Sequence, residues 1–126
     1  MKLCLDSWAV ISWLEGHKPA TTLVNAALDQ HPIMIWINLG EVYYVLHRKA
    51  NAERAEAIVR HLTTRLHLDQ VTPERTLEAA RIKAAFSMAY ADAFAIATAT
   101  AHSAVLLTGD PEILNSRGPW PVTDLR

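Results

Sequence analysis

The feature that most constrains the fold of this chain is the alternation of short apolar segments with helix-length segments. Ile33–Ile37 is almost continuously apolar, which is typical of a strand covered on both faces of a parallel sheet. The full set of predicted strands, including a short edge strand at the end, is Lys2–Asp6, Ile33–Ile37, Leu66–Val71, Ala104–Thr108 and Val122–Asp124. Strands that alternate with helices predict an α/β fold with three α/β/α layers around a central parallel sheet of four to five strands.

Six segments have the apolar spacing of helices. They are Ser7–Glu15, Thr21–Gln30, Leu39–Lys49, Ala52–Arg65, a segment from Pro73 to about Phe86, and Ala89–His102. Thr21 or Thr22 is expected to cap the second helix, Asn38 the third, and Thr72 the fifth. Gly109-Asp110-Pro111 is predicted to be a turn.

Composition limits the class of protein. With 126 residues and 51% apolar content, the chain can close one core, so we expect a single domain over residues 1–126. A formal net charge of -1 argues against a protein that coats nucleic acid non-specifically. The one cysteine, Cys4, cannot form a disulfide within the chain, and no leader or membrane-spanning run is visible, so we expect a cytoplasmic protein.

Four carboxylates are predicted to meet at one edge of the sheet. Asp6 ends the first strand, Glu41 lies in the first turn after the second, and Asp110 follows the fourth. Asp92 lies in the first turn of the helix that leads into the fourth strand, so that helix must begin at the edge where the strand ends. The carboxyl edge of an open parallel sheet is where ligands bind.

Such a cluster suits cation binding better than it suits stability. Two unit negative charges about 4 Å apart repel by roughly 4 kcal/mol at an effective dielectric constant near 20. Carboxylate oxygens are ligands for hard cations, and Mg²⁺ also keeps water and substrate phosphate oxygens in its shell. The pattern therefore predicts metal-assisted hydrolysis of phosphoesters.

Each acidic residue also has an ordinary structural interpretation. Asp6 is a suitable helix cap, Glu41 and Asp92 suit the positive end of a helix dipole, and Asp110 suits a turn. Their conjunction, and no single one of them, indicates a site. Glu112 lies near the cluster and is expected to be solvated.

Four motifs contain these residues: Leu-Asp-Ser at Asp6, Asn-Leu-Gly-Glu at Glu41, Ala-Tyr-Ala-Asp-Ala at Asp92 and Leu-Thr-Gly-Asp-Pro-Glu at Asp110. In this order and spacing they resemble the motifs of PIN-domain ribonucleases. In length and motif style the chain is similar to the VapC toxins of bacterial toxin–antitoxin pairs. Asn38 departs from the pattern, because a small hydroxyl residue is more common at that position.

The resemblance implies a PIN-like nuclease domain with Asp6, Glu41, Asp92 and Asp110 as its catalytic and metal-binding quartet. Ser7 and Thr108 are implied hydroxyl partners of the carboxylates or of bound water. The resemblance further implies Mg²⁺- or Mn²⁺-dependent cleavage of RNA that leaves a 5′-phosphate and a 3′-hydroxyl. It also implies a homodimer and inhibition by a small cognate antitoxin.

Two other functions are compatible with carboxylates at a sheet edge. A phosphoacceptor domain needs a free aspartate after the third strand and a lysine after a late one, but Asp69 lies inside the third predicted strand and no lysine follows Lys83. A non-catalytic PIN-like module that binds RNA or protein is the other alternative, and the complete quartet argues against it. A Rossmann enzyme is disfavoured because no Gly-x-Gly-x-x-Gly follows the first strand.

Overall fold

The computed structural model describes every residue from Met1 to Arg126. Its strands are β1 (Leu3–Leu5), β2 (Ile33–Ile35), β3 (His67–Asp69), β4 (Val105–Thr108) and β5 (Val122–Asp124). Its helices are α1 (Ser7–Leu14), α2 (Ala20–Leu28), α3 (Trp36–Lys49), α4 (Ala52–Thr63), α5 (Pro73–Ala85), α6 (Tyr90–Ala101) and α7 (Pro111–Leu114). None of these helices has both the length and the hydropathy needed to cross a lipid bilayer.

The five strands form one parallel sheet in the order β3-β2-β1-β4-β5. In the centre of the sheet, Cys4 pairs with Ile33 on one side and with Leu106 on the other. The chain adds β2 and β3 to one side of β1 and then returns to add β4 and β5 to the other. The strand order therefore reverses between β1 and β4, and the carboxyl ends of these two strands flank the crevice in which open α/β sheets bind ligands.

Alternate residues of the strands point to opposite faces, and each face is covered by helices. Cys4 and Leu106 pack with residues of α5 and α6 on one face, whereas their neighbours Leu5 and Leu107 pack with residues of α1 to α4 on the other. This arrangement confirms the predicted α/β/α layers and the parallel sheet. It also explains why β2 is apolar at every position, since all three of its residues are buried.

The predicted starts of the third and second helices, and their expected caps, are revised by the structure. The third helix begins at Trp36, not after Asn38, so Asn38 is its third residue and Glu41 lies in its second turn. The second helix begins at Ala20 after Pro19, without a side-chain cap, and the Thr21 hydroxyl instead donates to the carbonyl of His17 at 2.8 Å. A buried strand and the first turn of a buried helix are both apolar, so hydrophobicity alone does not locate the junction between them.

The predicted turn after β4 leads directly into α7. Asp110 caps this short helix by accepting a hydrogen bond from the backbone N–H of Glu112 at 2.9 Å, and Pro111 occupies the first helical position. The combination of a capping aspartate and a following proline favours a helix start. The predicted caps Asp6 and Thr72 are both observed.

Candidate active site

Asp6 is both a helix cap and a carboxylate at the sheet edge. It is only 2% exposed. Its Oδ1 atom accepts the backbone N–H of Ala9 at 2.8 Å, which caps α1, and its Oδ2 atom accepts the hydroxyl of Thr108. Asp6 therefore caps α1 and at the same time places a carboxyl group at the carboxyl edge of the sheet.

Thr108 connects the ends of β1 and β4 to the start of α7. Its hydroxyl donates to Asp6 and accepts the backbone N–H of Asp110 at 3.0 Å. Gly109 lies between Thr108 and Asp110 in the chain, and a Cβ atom at this position would overlap the indole ring of Trp8. A side chain at position 109 would therefore displace either α1 or the segment that carries Asp110.

Glu41 projects from the second turn of α3 and is held by two donors. Its Oε1 atom accepts the Ser7 hydroxyl at 2.9 Å and the Asn38 side-chain amide at 3.0 Å. Ser7 directly follows Asp6, so this contact joins the start of α1 to α3. The Oε2 atom of Glu41 receives no hydrogen bond from the protein.

Asp92 lies in the first turn of α6, as predicted, and is 8% exposed. Its Oδ2 atom is buried and has no hydrogen-bond partner. One carboxylate oxygen from each of Asp92, Asp110 and Glu112 lies within 4.8 Å of the others. The structure thus brings two members of the predicted quartet together with Glu112. Asp6 lies close enough to Asp110 and Glu41 for their charges to raise its pKa, and both oxygens of Asp6 but only one of Glu41 accept hydrogen bonds from the protein.

Glu112 is exposed and near the cluster, as expected, and one of its carboxylate oxygens lies within 4.8 Å of those of Asp92 and Asp110, although the sequence analysis gave it no role in the site. It stands in the first turn of α7, two residues after Asp110. The signal that could have found it is Asp-Pro-Glu directly after a strand. A capping aspartate with proline at the first helical position starts a helix at the sheet edge, which keeps the next residue there.

Burial, to which neighbouring carboxylates add, raises the pKa values of Asp92 and Asp6. Burial is the largest cause for Asp92, and the nearby charges of Asp110 and Glu112 add to it, so its pKa rises to about 8. For Asp6, burial raises the pKa and the charges of Asp110 and Glu41 raise it further, while hydrogen bonds from Thr108 and Ala9 lower it, with a result of about 7. The raised pKa values mean that the carboxyls of Asp6 and Asp92 retain protons near neutral pH.

These residues fit a hard divalent cation. The set offers only oxygen ligands, which are those that Mg²⁺ and Mn²⁺ prefer. A buried polar atom normally has a partner, and the Oδ2 atom of Asp92 has none within the protein. A cation among Asp92, Asp110 and Glu112 would satisfy this oxygen and offset the burial and the repulsion that raise the pKa of Asp92.

Comparisons with known proteins give one family and several similar structures. The family model of the PIN domain matches residues 3–117. No curated protein sequence matches the chain at a significant level.

Solved structures that resemble the chain include members of toxin–antitoxin complexes. A chain of VapBC2 from Rickettsia felis, bound to a promoter DNA fragment, superposes with a TM-score of 0.77 at 13% identity over 100% of both chains. A chain of DNA-bound VapBC from Salmonella typhimurium gives 0.77 at 18% identity over 98% of both chains. VapC20 from Mycobacterium tuberculosis, a sarcin–ricin loop cleaving toxin, gives 0.72 at 17% identity, covering 92% of this chain and 95% of its own. These likenesses agree with the fold described above, and because the family model covers nearly the whole sequence, the chain belongs to the PIN domain family.

Proposed function

We propose that this protein is a Mg²⁺- or Mn²⁺-dependent endoribonuclease and the toxin of a toxin–antitoxin pair. The observation that carries the proposal is the trio Asp92, Asp110 and Glu112 at the carboxyl edge of a PIN fold, with a buried, unpartnered oxygen on Asp92. Oxygen ligands that converge in this way suit metal-assisted hydrolysis of phosphodiesters, and the neighbouring hydroxyls of Ser7 and Thr108 hold Glu41 and Asp6 in place.

We propose that Asp6, Glu41, Asp92 and Asp110 are the catalytic and metal-binding quartet and that Glu112 joins them. A divalent ion at this site would polarise a water and balance the negative charge of the scissile phosphate. Asp92, Asp110 and Glu112 would hold such an ion directly, since their oxygens already converge.

Asp6 and Glu41 would complete the site from its other side. Thr108 and the α1 backbone fix the carboxylate of Asp6 in one orientation, so it needs little reorganisation to interact with bound substrate or ion. Ser7 holds the Oε1 atom of Glu41 and leaves Oε2 available to accept a proton from an attacking water or to contact the ion.

We further propose the setting in which this activity is used. The similar structures include VapBC and FitAB complexes, which supports a small protein antitoxin as partner. We propose a homodimer in the cytoplasm in which residues 1–126 act as one nuclease domain. The phosphoacceptor alternative is weakened because Asp69 is bound by Arg75 at 2.9 Å and by His102 at 3.2 Å.

The experiment that tests this function is a cleavage assay on single-stranded and stem–loop RNA. The purified chain should cut RNA with Mg²⁺ or Mn²⁺, stop after EDTA treatment, and resume when the ion is restored. The products should carry 5′-phosphates. Cleavage that survives exhaustive chelation would contradict the proposal. Ion binding without any cleavage would favour the non-catalytic binding module instead.

A further inference from the structure

The side chain of Asn38 makes two hydrogen bonds that together span the candidate site. It lies in the first turn of α3 and is 1% exposed. Its Nδ2 atom donates to the Oε1 atom of Glu41 at 3.0 Å and to the backbone carbonyl of Ala91 at 3.1 Å. A carboxylate and a carbonyl only accept, so the nitrogen must face them and both of its protons are used.

The two partners of Asn38 belong to different parts of the acidic cluster. Glu41 is the carboxylate that α3 contributes, and Ala91 directly precedes Asp92 at the start of α6. The amide therefore ties α3 to α6 at the point where each helix delivers its carboxylate. A serine or threonine has one hydroxyl proton and could donate to only one of these acceptors at a time.

The amide side chain of Asn38 carries a buried oxygen that has no hydrogen-bond partner. With both protons of the side chain committed, the Oδ1 atom of Asn38 remains buried without a hydrogen-bond partner. Buried polar atoms without partners are costly and uncommon in folded proteins. Stability alone does not account for Asn38, whereas a requirement for two donors at this position does.

We propose that Asn38 is a positioning residue that sets the separation between Glu41 and Asp92 and so prepares the site for a divalent ion. Together with Ser7, it holds the Oε1 atom of Glu41 by hydrogen bonds and leaves Oε2 without a donor from the protein. It also holds the first turn of α6, which carries the unpartnered oxygen of Asp92. This inference rests on the proposed metal-dependent function.

The test measures Mn²⁺ affinity by calorimetry and the Mn²⁺ dependence of RNA cleavage for Asn38→Ala, Asn38→Thr and the parent. Loss of a residue that orients metal ligands typically weakens metal binding by about 10–100-fold, and we expect Asn38→Ala to fall in this range. Asn38→Thr should be intermediate because it keeps one donor. Asn25→Ala is the matched control, since Asn25 is exposed and bonds only to Trp13.

A double-mutant cycle separates positioning from a general loss of stability. If Asn38 acts through Glu41, the effect of Asn38→Ala on Mn²⁺ affinity should be smaller in a Glu41→Gln background. The loss of affinity that persists in this background should measure the contribution of the hydrogen bond from Asn38 to Ala91 in α6. A purely structural role predicts lower melting temperatures with unchanged affinity in the folded fraction. Should Asn38→Ala not fold, Asn38→Thr carries the same comparison.

Three outcomes decide the inference. A several-fold or larger loss of Mn²⁺ affinity in Asn38→Thr, with Asn25→Ala unchanged, supports it. Parent-like affinity in both Asn38 variants, while the parent binds Mn²⁺ and cleaves RNA, overturns the inference and leaves the proposed function standing. A parent that neither binds Mn²⁺ nor cleaves RNA overturns both.

Discussion

At the scale of single residues, Asp92 shows most clearly the energetic cost of gathering carboxylates in this site. Its carboxyl is buried next to Asp110 and Glu112, and its Oδ2 atom has no partner. An ionised carboxylate in this position is unfavourable unless a cation is present, and the raised pKa of Asp92 expresses this cost. The residue is therefore poorly suited to a protein that binds no cation.

Substitution of Asp92 by Asn should separate the stability of the site from its function. Without metal at pH 9, Asp92→Asn should be more stable than the parent, because it removes a buried charge and its repulsion. With Mg²⁺, the parent should gain stability by ligand binding and the variant should gain less. Thermal melts in EDTA and in excess Mg²⁺ would measure both differences, with Asp29→Asn as an exposed control.

A residue that only favours the positive end of α6 would behave differently. The free energy of unfolding of Asp92→Asn would then be lower than that of the parent by roughly 0.3–1 kcal/mol, with or without metal. A destabilised variant with unchanged RNA cleavage would remove Asp92 from the site.

The stability of the metal-free protein should fall as pH rises from about 4 to about 8. The pKa values of Asp6 and Asp92, about 7 and about 8, lie above those of the unfolded chain, so the folded protein keeps protons that the unfolded chain has released. Each such proton changes the free energy of unfolding by up to about 1.4 kcal/mol per pH unit. Urea denaturation from pH 5 to pH 9 in EDTA would measure the slope.

Magnesium should oppose this trend. Ligation requires deprotonated carboxylates, so the stabilisation that Mg²⁺ provides should grow as pH rises. A metal-free stability that is constant or increases over this range would contradict the burial of these two carboxyls. The Asp92→Asn variant should show a shallower slope than the parent.

At the scale of the elements, the site depends on the contacts among β1, β4 and α7, and the Thr108 hydroxyl connects these elements by two hydrogen bonds. Thr108→Val keeps the shape but leaves the Oδ2 atom of Asp6 without a donor and the backbone N–H of Asp110 without the Thr108 acceptor. We expect a loss of about 1–3 kcal/mol in the free energy of unfolding. Thr108→Ser keeps the hydroxyl and should lose less. Equal stability of the Val variant and the parent would show that this bridge contributes nothing.

A second polar network holds the edge strand β3 and provides a comparison. Burial tends to raise the pKa of Asp69, but hydrogen bonds from His102 and Arg75 and their charges outweigh it and hold this pKa below its usual value. Arg75→Met should lower the free energy of unfolding by about 2 kcal/mol, a value between those for the loss of exposed and of buried ion pairs. The increment in melting temperature that Mg²⁺ gives should stay as in the parent. A reduced increment would indicate that β3 and α5 also shape the metal site.

The elements also show what the sequence could and could not predict. The three central strands were predictable because each is a short, largely apolar run. The edge strands β3 (His-Leu-Asp) and β5 (Val-Thr-Asp) have a weaker apolar signal, and Val122–Asp124 nevertheless matches its predicted bounds. The start of α3 was not, because Ile33–Ile37 is apolar across a strand-to-helix junction. The polar side chain expected to cap that helix serves Glu41 and α6 instead, and such a tertiary contact leaves no trace in local sequence.

At the scale of the whole molecule, the parallel topology brings residues distant in sequence to one crevice. Asp6 and Thr108 stand on the neighbouring strands β1 and β4, 102 positions apart, and still form a hydrogen bond. The rule that carboxyl ends of parallel strands share an edge predicted that Asp6 and Asp110 lie at this edge, whereas Thr108 as a hydroxyl partner was implied only by the family resemblance. It could not rank the carboxylates, so the close association of Glu112 with Asp92 and Asp110 required side-chain geometry.

The proposed toxin activity also belongs to the whole molecule. Expression of the parent should arrest growth, and coexpression of a cognate antitoxin should restore it. Asp110→Asn should be far less toxic at equal abundance, because it removes an anionic member of the trio while Asn can still cap α7. Equal toxicity of parent and variant would place the cause outside this site.

The most direct test of the metal-dependent site compares ion binding and RNA cleavage in the same samples. After chelation, Mn²⁺ is added stepwise to the parent and to Asp92→Asn while bound Mn²⁺ and the cleavage rate are both measured. For the parent, half-maximal binding and half-maximal cleavage should fall at the same Mn²⁺ concentration, and the variant should need far more ion for either. Cleavage at full rate before any Mn²⁺ is bound, or identical curves for the two proteins, would contradict the account.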